Sequence, residues 1–219
     1  MEIANRLASL TLARNREDLH HELLIAELQH RIRNLFSSVG AVVYSTLRTY
    51  ANPKEFQKVF EGRLSALARA HSLAFKSSDM ALRALLIDML APYGMQSRIK
   101  MTGPRFTLSP EAAVVFSLAT HELATNAAKY GSFANAQGTL DVTWDVLRDG
   151  RGEHKFELVW EERGGPVVVP PPKSGFGRFA IEKSLASTVD GTVAMDFAPT
   201  GLVCRISAPI SPRLGTYAH

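Results

Sequence analysis

Hydrophobic positions recur at steps of three and four along the first part of the chain, which is the pattern of an amphipathic helix. It predicts one long helix over residues 18–50, whose apolar stripe comprises Leu24, Leu28, Ile32, Leu35, Val39 and Val42. Asn52-Pro53 interrupts the pattern, and Pro53 suits the first turn of a second helix that we expect to reach about Phe75. The two helices form an antiparallel hairpin. Because one hairpin cannot cover both stripes, we expect a four-helix bundle made by a homodimer.

The pattern changes after residue 76, where shorter helices alternate with runs rich in β-branched and aromatic residues. Helices are predicted at about 79–92, from Pro110 to Tyr130 with Gly131 ending it, and at about 177–188. Strands are predicted at 98–101, 140–147, 155–161, 192–197 and 202–208. The segment from Gly164 to Gly177 is predicted to be a loop. The fold class is therefore α+β, with a helical hairpin at 1–76 followed by an α/β sandwich at 77–219.

Composition narrows the classes of protein to consider. The net charge is +4, but the 25 basic residues are scattered among 21 acidic ones, which favours a mixed solvated surface over a nucleic-acid partner. No apolar run approaches the roughly 18 residues that span a bilayer, and the N-terminus does not have the pattern of a signal peptide. The single cysteine, Cys204, excludes an internal disulfide. We expect a cytoplasmic protein with no membrane span and no nucleic-acid partner.

His30 is the first residue that suggests chemistry. Each helical residue advances about 100°, so His30 lies on the side opposite the stripe residues Leu28 and Ile32. Its imidazole is then exposed to solvent, where a nucleophile that accepts a phosphoryl group has to be. An ordinary surface histidine is the alternative, and this segment by itself does not decide between them.

A second candidate site lies in the segment from His121 to Gly131. Glu122, Asn126 and Lys129 are spaced i, i+4 and i+7, so they form a polar line on one face of an apolar helix. A carboxylate and an amide oxygen suit a Mg²⁺ ion that also holds nucleotide phosphates, and a lysine can meet a phosphate. The alternative is an internal salt bridge between Glu122 and Lys129, with a capping role for Asn126.

A third segment combines an acidic strand end with glycines. Trp160-Glu161-Glu162-Arg163-Gly164-Gly165-Pro166 is followed by Gly175-Phe176-Gly177. Glycines permit close approach of the backbone to a ligand, and a helix N-terminus after them can bind phosphate. The segment matches neither a P-loop nor a dinucleotide fingerprint, and a plain turn is the alternative.

Taken together, these segments resemble the histidine kinases of the HWE class, named for a histidine and a Trp-x-Glu motif. His121 corresponds to that histidine, and Trp160-Glu161-Glu162 fits the motif. The resemblance covers nearly the whole chain through ELQHRIRN at 27–34, RLSALARAH at 63–71, HELATNAAKYG at 121–131, WEERGGP at 160–166, GFG at 175–177 and DFAPTGLVCRI at 196–206.

The resemblance implies a dimerisation and phosphotransfer domain at 1–76 and an ATP-binding domain of the Bergerat (GHKL) type at 77–219. It implies that His30 accepts the γ-phosphoryl group of ATP, that Asn126 coordinates Mg²⁺, and that Glu122 supports the metal and its waters. It further implies a contact of Lys129 with phosphate and of Glu162 with the adenine amino group. The pocket and its phosphate edge would be shaped by Gly164, Gly175 and Gly177.

Two features of the His30 segment differ from patterns common in related kinases. Arg33 stands where the family commonly has lysine, which keeps the charge and changes its geometry. Arg31, as is usual for this class, follows His30 where many other histidine kinases have an acidic residue. The general base therefore stays open between Glu27, Asn34 and an unaided or water-mediated transfer.

Three functions are weighed. The first is an active kinase that passes the phosphoryl group to the receiver domain of a response regulator. The second is a phosphotransfer or scaffold protein that keeps the fold without ATP turnover, and the third is an ATPase that drives conformational work. No segment before residue 18 is long enough for an input domain, so either the chain is a piece of a longer protein or a separate sensor partner supplies the signal.

Overall fold

The computed structural model describes residues 52–76, 80–93, 96–148, 150, 152–168 and 180–217, with the side chains of 70–76, 96 and 180 excepted. Between 21 and 47 it describes residues 21–22, 25–26, 28–29, 32–33, 35–36, 38–40, 42–44 and 46–47. The chain divides into two compact units, residues 1–44 and 45–219.

The described residues of the first unit are helical, as the apolar periodicity predicts. Ile25, Leu28, Ile32 and Phe36 are exposed, whereas Val42 is buried. His30 lies outside the described residues, as do Glu27, Arg31 and Asn34. The helical hairpin, the four-helix bundle and the homodimer stay predictions.

The second unit contains three α-helices longer than one turn among its described residues: α1 (Pro53–Lys76), α2 (Leu82–Leu90) and α3 (Pro110–Tyr130). Its strands are β1 (Met80–Ala81), β2 (Ile99–Thr102), β3 (Phe106–Leu108), β4 (Thr139–Arg148), β5 (His154–Arg163), β6 (Thr192–Ala198), β7 (Gly201–Pro209) and β8 (Gly215–Tyr217). Short helical turns occupy Ala91–Tyr93, Gln96–Arg98 and Ser132–Ala134. A π-helical segment, Ala180–Leu185, continues into Ala186–Thr188.

The larger sheet has five strands in the order β2-β4-β5-β7-β6, with β2 parallel to β4 and the other pairs antiparallel. Its register pairs Leu140 with Glu162 and Trp160 with Cys204. Side chains alternate between the two faces of a strand, so Val142, Phe156, Trp160 and Cys204 share the buried face. On that face Phe156 contacts Phe116 of α3 edge to face, at 6.1 Å between ring centroids. The core of this unit thus lies between α3 and the sheet.

Residues at its two ends determine the bounds of α3. Ser109 accepts a hydrogen bond from the backbone N–H of Ala112, and Pro110 follows it as the first helical residue. At the other end the N–H of Gly131 bonds the carbonyls of Asn126 and Ala127. The predicted bounds of this helix and the α+β class of the fold are confirmed.

Other predicted elements differ in detail. The helix predicted at about 79–92 is shorter because Met80 and Ala81 pair with β3. A three-stranded sheet of order β1-β3-β8 was not predicted. In the helix predicted at 177–188, residues 177–179 lie outside the described residues together with most of the loop before them, including Gly175 and Gly177.

The division between residues 44 and 45 differs from the predicted domain boundary between 76 and 77. The physical reason is that α1 packs against α3, and Arg63 of α1 forms a buried ion pair with Glu122 of α3. The helix Pro53–Lys76 therefore belongs to the same compact unit as the α/β part. The functional assignment of 1–76 to phosphotransfer stays a prediction.

Candidate nucleotide site

Two segments that are distant in sequence meet where α3 and β5 end. The backbone N–H of Ser132, two residues beyond α3, donates to Glu162 Oε2 at 2.9 Å. Asn135 donates its side-chain amide to the carbonyl of Gly164 at 3.2 Å. The structure therefore brings Glu162 and Gly164 next to the turn that follows Asn126 and Lys129.

Glu162 is the buried acid of this junction, with 3% of its surface exposed. Its second oxygen, Oε1, accepts a hydrogen bond from the indole Nε1–H of Trp160 at 3.0 Å. Burial raises the pKa of the Glu162 carboxyl because it disfavours the charged form, and the hydrogen bonds from Ser132 and Trp160 oppose that rise. Both carboxylate oxygens thus have a donor, and each retains a further lone pair for a ligand.

Glycine residues make the close contact between the two segments sterically feasible. A Cβ at Gly131 would collide with Glu162 Oε2, and a Cβ at Gly165 would lie 2.6 Å from the carbonyl carbon of Gly131. Gly164 has φ +71°, a backbone conformation that favours glycine. These glycines let the strand end lie directly against the backbone beyond α3.

The polar line on α3 runs from the interior to the surface: Glu122 is buried, Asn126 is half-buried and Lys129 is exposed. No group of three or more His, Cys, Asp or Glu side chains suited to a metal occurs in the part of the chain that the structure describes. A Mg²⁺ ion here would rest on the amide oxygen of Asn126, on waters and on nucleotide phosphates, which is a ligand set that Mg²⁺ accepts.

Glu122 is paired with Arg63 through both of its oxygens. The distances are 2.7 Å from Arg63 Nε to Oε1 and 3.1 Å from Nη2 to Oε2. Arg63 also donates Nη1–H to the hydroxyl of Thr46 at 2.9 Å. The alternative of an internal salt bridge between Glu122 and Lys129 is therefore wrong, because α1 supplies a bidentate partner from the facing helix.

Sequence reasoning missed the role of Arg63. The signal that could have found it is a lone arginine between Phe60, Leu64 and Leu67, on the side of α1 that the periodicity assigns to packing. A charge buried there needs an opposite charge from a neighbouring element. Arg63 is 2% exposed, so this requirement is strict.

His121 lies beside this ion pair. Burial lowers the pKa of its imidazole; Glu122 acts in the opposite direction, while the positive charges of Arg69, Arg63 and Lys129 lower it further. A Cβ added at Gly62 on α1 would be 3.5 Å from His121 Nε2. The imidazole thus lies against α1, in surroundings that favour its neutral form.

No helix among the described residues is both long enough and apolar enough to cross a membrane.

Comparison with known proteins agrees with this fold and these segments. Residues 27–105 match the model of the HWE histidine kinase family. The blue-light-activated histidine kinase of Brucella ovis is 34% identical over 205 residues, which are 92% of this chain and 42% of that protein. The protein of the same name from Brucella anthropi is 34% identical over 202 residues, 90% of this chain and 41% of its own length. The chain thus spans well under half the length of these curated relatives.

Two solved structures share the fold. The blue-light-activated histidine kinase of Erythrobacter litoralis EL346 superposes with a TM-score of 0.58 at 17% identity, covering 85% of this chain and 58% of that one. Its histidine kinase domain superposes with a TM-score of 0.53 at 15% identity, covering 84% of this chain and 96% of that one. Residues 27–105 therefore belong to the HWE histidine kinase family, and the relatives extend the similarity to 92% of the chain.

Proposed function

We propose that this chain is the kinase part of a two-component signalling protein, which binds Mg²⁺ and ATP, phosphorylates His30 and passes the phosphoryl group to an aspartate of a response-regulator receiver domain. The observation that carries the proposal is the buried Glu162 carboxylate, held at the end of β5 against the glycine-lined turn after α3. A homodimer in the cytoplasm, receiving its signal from a separate sensor or from an input domain of a longer protein, is part of the same proposal.

The residues present fit an adenine nucleotide. The Glu162 carboxylate provides an acceptor for the adenine amino group. The hydroxyl of Ser132 is buried beside the Glu162 carboxylate and, as a donor, helps to oppose the rise of its pKa. Gly131 and Gly165 provide backbone without side chains at the same place. A buried acceptor next to a hydroxyl and a backbone without side chains suits recognition of an adenine edge.

The other proposed roles follow from position along α3. Asn126 would hold Mg²⁺, Lys129 would meet phosphate from the exposed last turn, and Gly164 with Gly175 and Gly177 would shape the pocket. The metal supplies charge neutralisation at the phosphates. At His30, a ring nitrogen lone pair forms the new bond to the γ-phosphorus while the bond from that phosphorus to the bridging oxygen of ADP breaks, and the protein's task is to position these groups.

One observation favours a second candidate, a phosphotransfer or scaffold protein without ATP turnover. Both oxygens of Glu122 are engaged by Arg63, which neutralises the carboxylate and leaves only its remaining lone pairs for a metal and its waters. An active kinase and such a scaffold differ in one result. The scaffold binds nucleotide and leaves His30 unphosphorylated.

The proposed adenine site predicts a preference for ATP over GTP. At the position of the adenine amino donor, guanine carries a carbonyl oxygen, which would face the Glu162 carboxylate acceptor to acceptor. We expect GTP to bind at least about tenfold more weakly than ATP in isothermal titration calorimetry. The Glu162→Gln variant, whose amide can also donate, should lose most of this preference. Equal affinities of the unaltered protein for ATP and GTP would remove Glu162 from base recognition.

A further inference from the structure

Trp160 lies two residues before Glu162 on β5, and a two-residue step places both side chains on the same, buried face of the sheet. The indole ring is 1% exposed, and its strand position pairs with Cys204 of β7. A ring packed in this way has little freedom to move. Its Nε1–H is therefore a fixed donor, and Glu162 Oε1 accepts from it at 3.0 Å.

The other oxygen of Glu162 is fixed just as firmly, by a backbone donor. Ser132 N–H lies 2.9 Å from Oε2, in the short helical turn Ser132–Ala134. One side-chain donor and one backbone donor thus engage the two oxygens separately. Rotation of the carboxylate about its terminal bond would break both hydrogen bonds, so its plane and its free lone pairs point in one direction.

We propose that Trp160 is a positioning residue for nucleotide recognition, whose indole N–H fixes the orientation in which the Glu162 carboxylate accepts a hydrogen bond from an adenine amino group. This inference rests on the proposed function and deepens it, because it gives the tryptophan of the Trp-x-Glu segment a role beyond core packing. Trp160 does not touch the nucleotide and acts only through Glu162.

Electrostatics support the geometry. Burial raises the pKa of the Glu162 carboxyl, and the Trp160 hydrogen bond is one of the contacts that oppose this. Other titratable groups around Glu162 do not change this balance between burial and hydrogen bonding. Glu161 and Arg163 pair with each other at 2.8 Å on the opposite face, and Lys129 and Tyr130 are exposed in the last turn of α3. Burial raises the pKa of the Cys204 thiol to about 12, so it stays neutral.

The test replaces Trp160 by phenylalanine, which keeps an aromatic ring and removes the N–H. We expect ATP affinity at neutral pH to fall about tenfold, the effect of one charge-assisted hydrogen bond. Without the indole, the pKa of Glu162 rises further, and a protonated carboxyl no longer offers the same acceptor. Because affinity is lost as pH falls through that pKa, the acidic limb of the affinity–pH profile should move to higher pH.

Trp144→Phe is the matched control. Trp144 is also a buried tryptophan of the sheet, but its Nε1–H donates to the carbonyl of Pro104 at 2.8 Å. We expect this variant to keep both the affinity and the pH profile of the unaltered protein. If Trp160→Phe behaves as Trp144→Phe does, the positioning role is overturned. Should Trp160→Phe fail to fold, benzothienylalanine at position 160 preserves the ring shape without the N–H. Its ATP affinity and its affinity–pH profile are then measured in the same way.

A second measurement separates this inference from the proposed function. The carboxyl carbon of Glu162, assigned by its disappearance in Glu162→Gln, can be titrated by NMR in the nucleotide-free protein. A higher pKa of Glu162 in Trp160→Phe than in Trp144→Phe supports the positioning role even if ATP does not bind. Absence of ATP binding would contradict the proposed function alone. An unchanged pKa overturns the inference whatever ATP does.

Discussion

Replacing Arg63 by methionine is expected to lower the free energy of unfolding by about 3–5 kcal/mol, because it leaves the Glu122 carboxylate buried and without its counter-charge. Glu122 is 8% exposed, so water cannot take over the role of the guanidinium. The substitution also removes the guanidinium N–H from which the hydroxyl of Thr46 accepts a hydrogen bond. Urea denaturation, followed by circular dichroism, measures the loss.

Two controls define what the loss means. Arg163→Met breaks an ion pair with Glu161 whose side chains are 62% and 34% exposed, and it should cost no more than about 1 kcal/mol. The double variant Arg63→Met/Glu122→Leu should recover most of the stability, since an apolar pair can replace a buried ion pair at little cost. If Arg63→Met lowered the free energy of unfolding no more than Arg163→Met does, the buried ion pair would not stabilise the packing of α1 against α3.

The double variant also tests the proposed role of Glu122. It restores the packing between α1 and α3 without restoring a carboxylate. A stable double variant that binds ATP and fails to phosphorylate itself would assign Glu122 a role in phosphoryl transfer. Full autophosphorylation in the same variant would make Glu122 a structural residue only.

The second large effect is expected at Asn126. Replacing it by alanine removes the proposed protein ligand of Mg²⁺, so the gain in ATP affinity that Mg²⁺ gives should fall by up to about a hundredfold. Calorimetric titrations with Mg²⁺ and with EDTA measure this gain for each variant. In EDTA the variant and the unaltered protein should bind ATP equally, since the adenine contacts stay intact.

Gln57→Ala is the matched control for Asn126, because it removes a side-chain amide from an exposed face of α1, where that amide donates to Glu61 at 2.9 Å. It should leave the effect of Mg²⁺ unchanged. An Asn126→Ala variant that keeps the full Mg²⁺ effect would place the metal elsewhere.

Much of the fold could be predicted because its signals are local. Ser109-Pro110 and Gly131 mark the ends of α3, and alternation of apolar residues marks β4 and β5. The sheet β1-β3-β8 has strands of two and three residues, too short for any period to show. Its pairing of Leu108 with Gly215 depends on the tertiary fold rather than on nearby residues.

In the candidate site too, contacts between residues distant in sequence could not be predicted. The helical spacing of Glu122 and Lys129 suggested a local ion pair, but the true partner, Arg63, lies 59 residues away on another helix. The role of Glu162 was implied by the resemblance to HWE histidine kinases, whereas its contact with Ser132 follows from the turn after α3. His30, Gly175 and Gly177 lie outside the described residues, so their roles stay predictions that only experiment can decide.

Transfer of labelled phosphate tests the central proposal most directly. The purified protein is incubated with Mg²⁺ and γ-labelled ATP beside His30→Ala and Asn126→Ala, and the label is scored for stability in alkali and loss in acid. We predict acid-labile, alkali-stable label on the unaltered protein and none on either variant. ATP binding without any label on the unaltered protein would contradict autonomous kinase activity, and label that persists in His30→Ala would show that another residue is the acceptor.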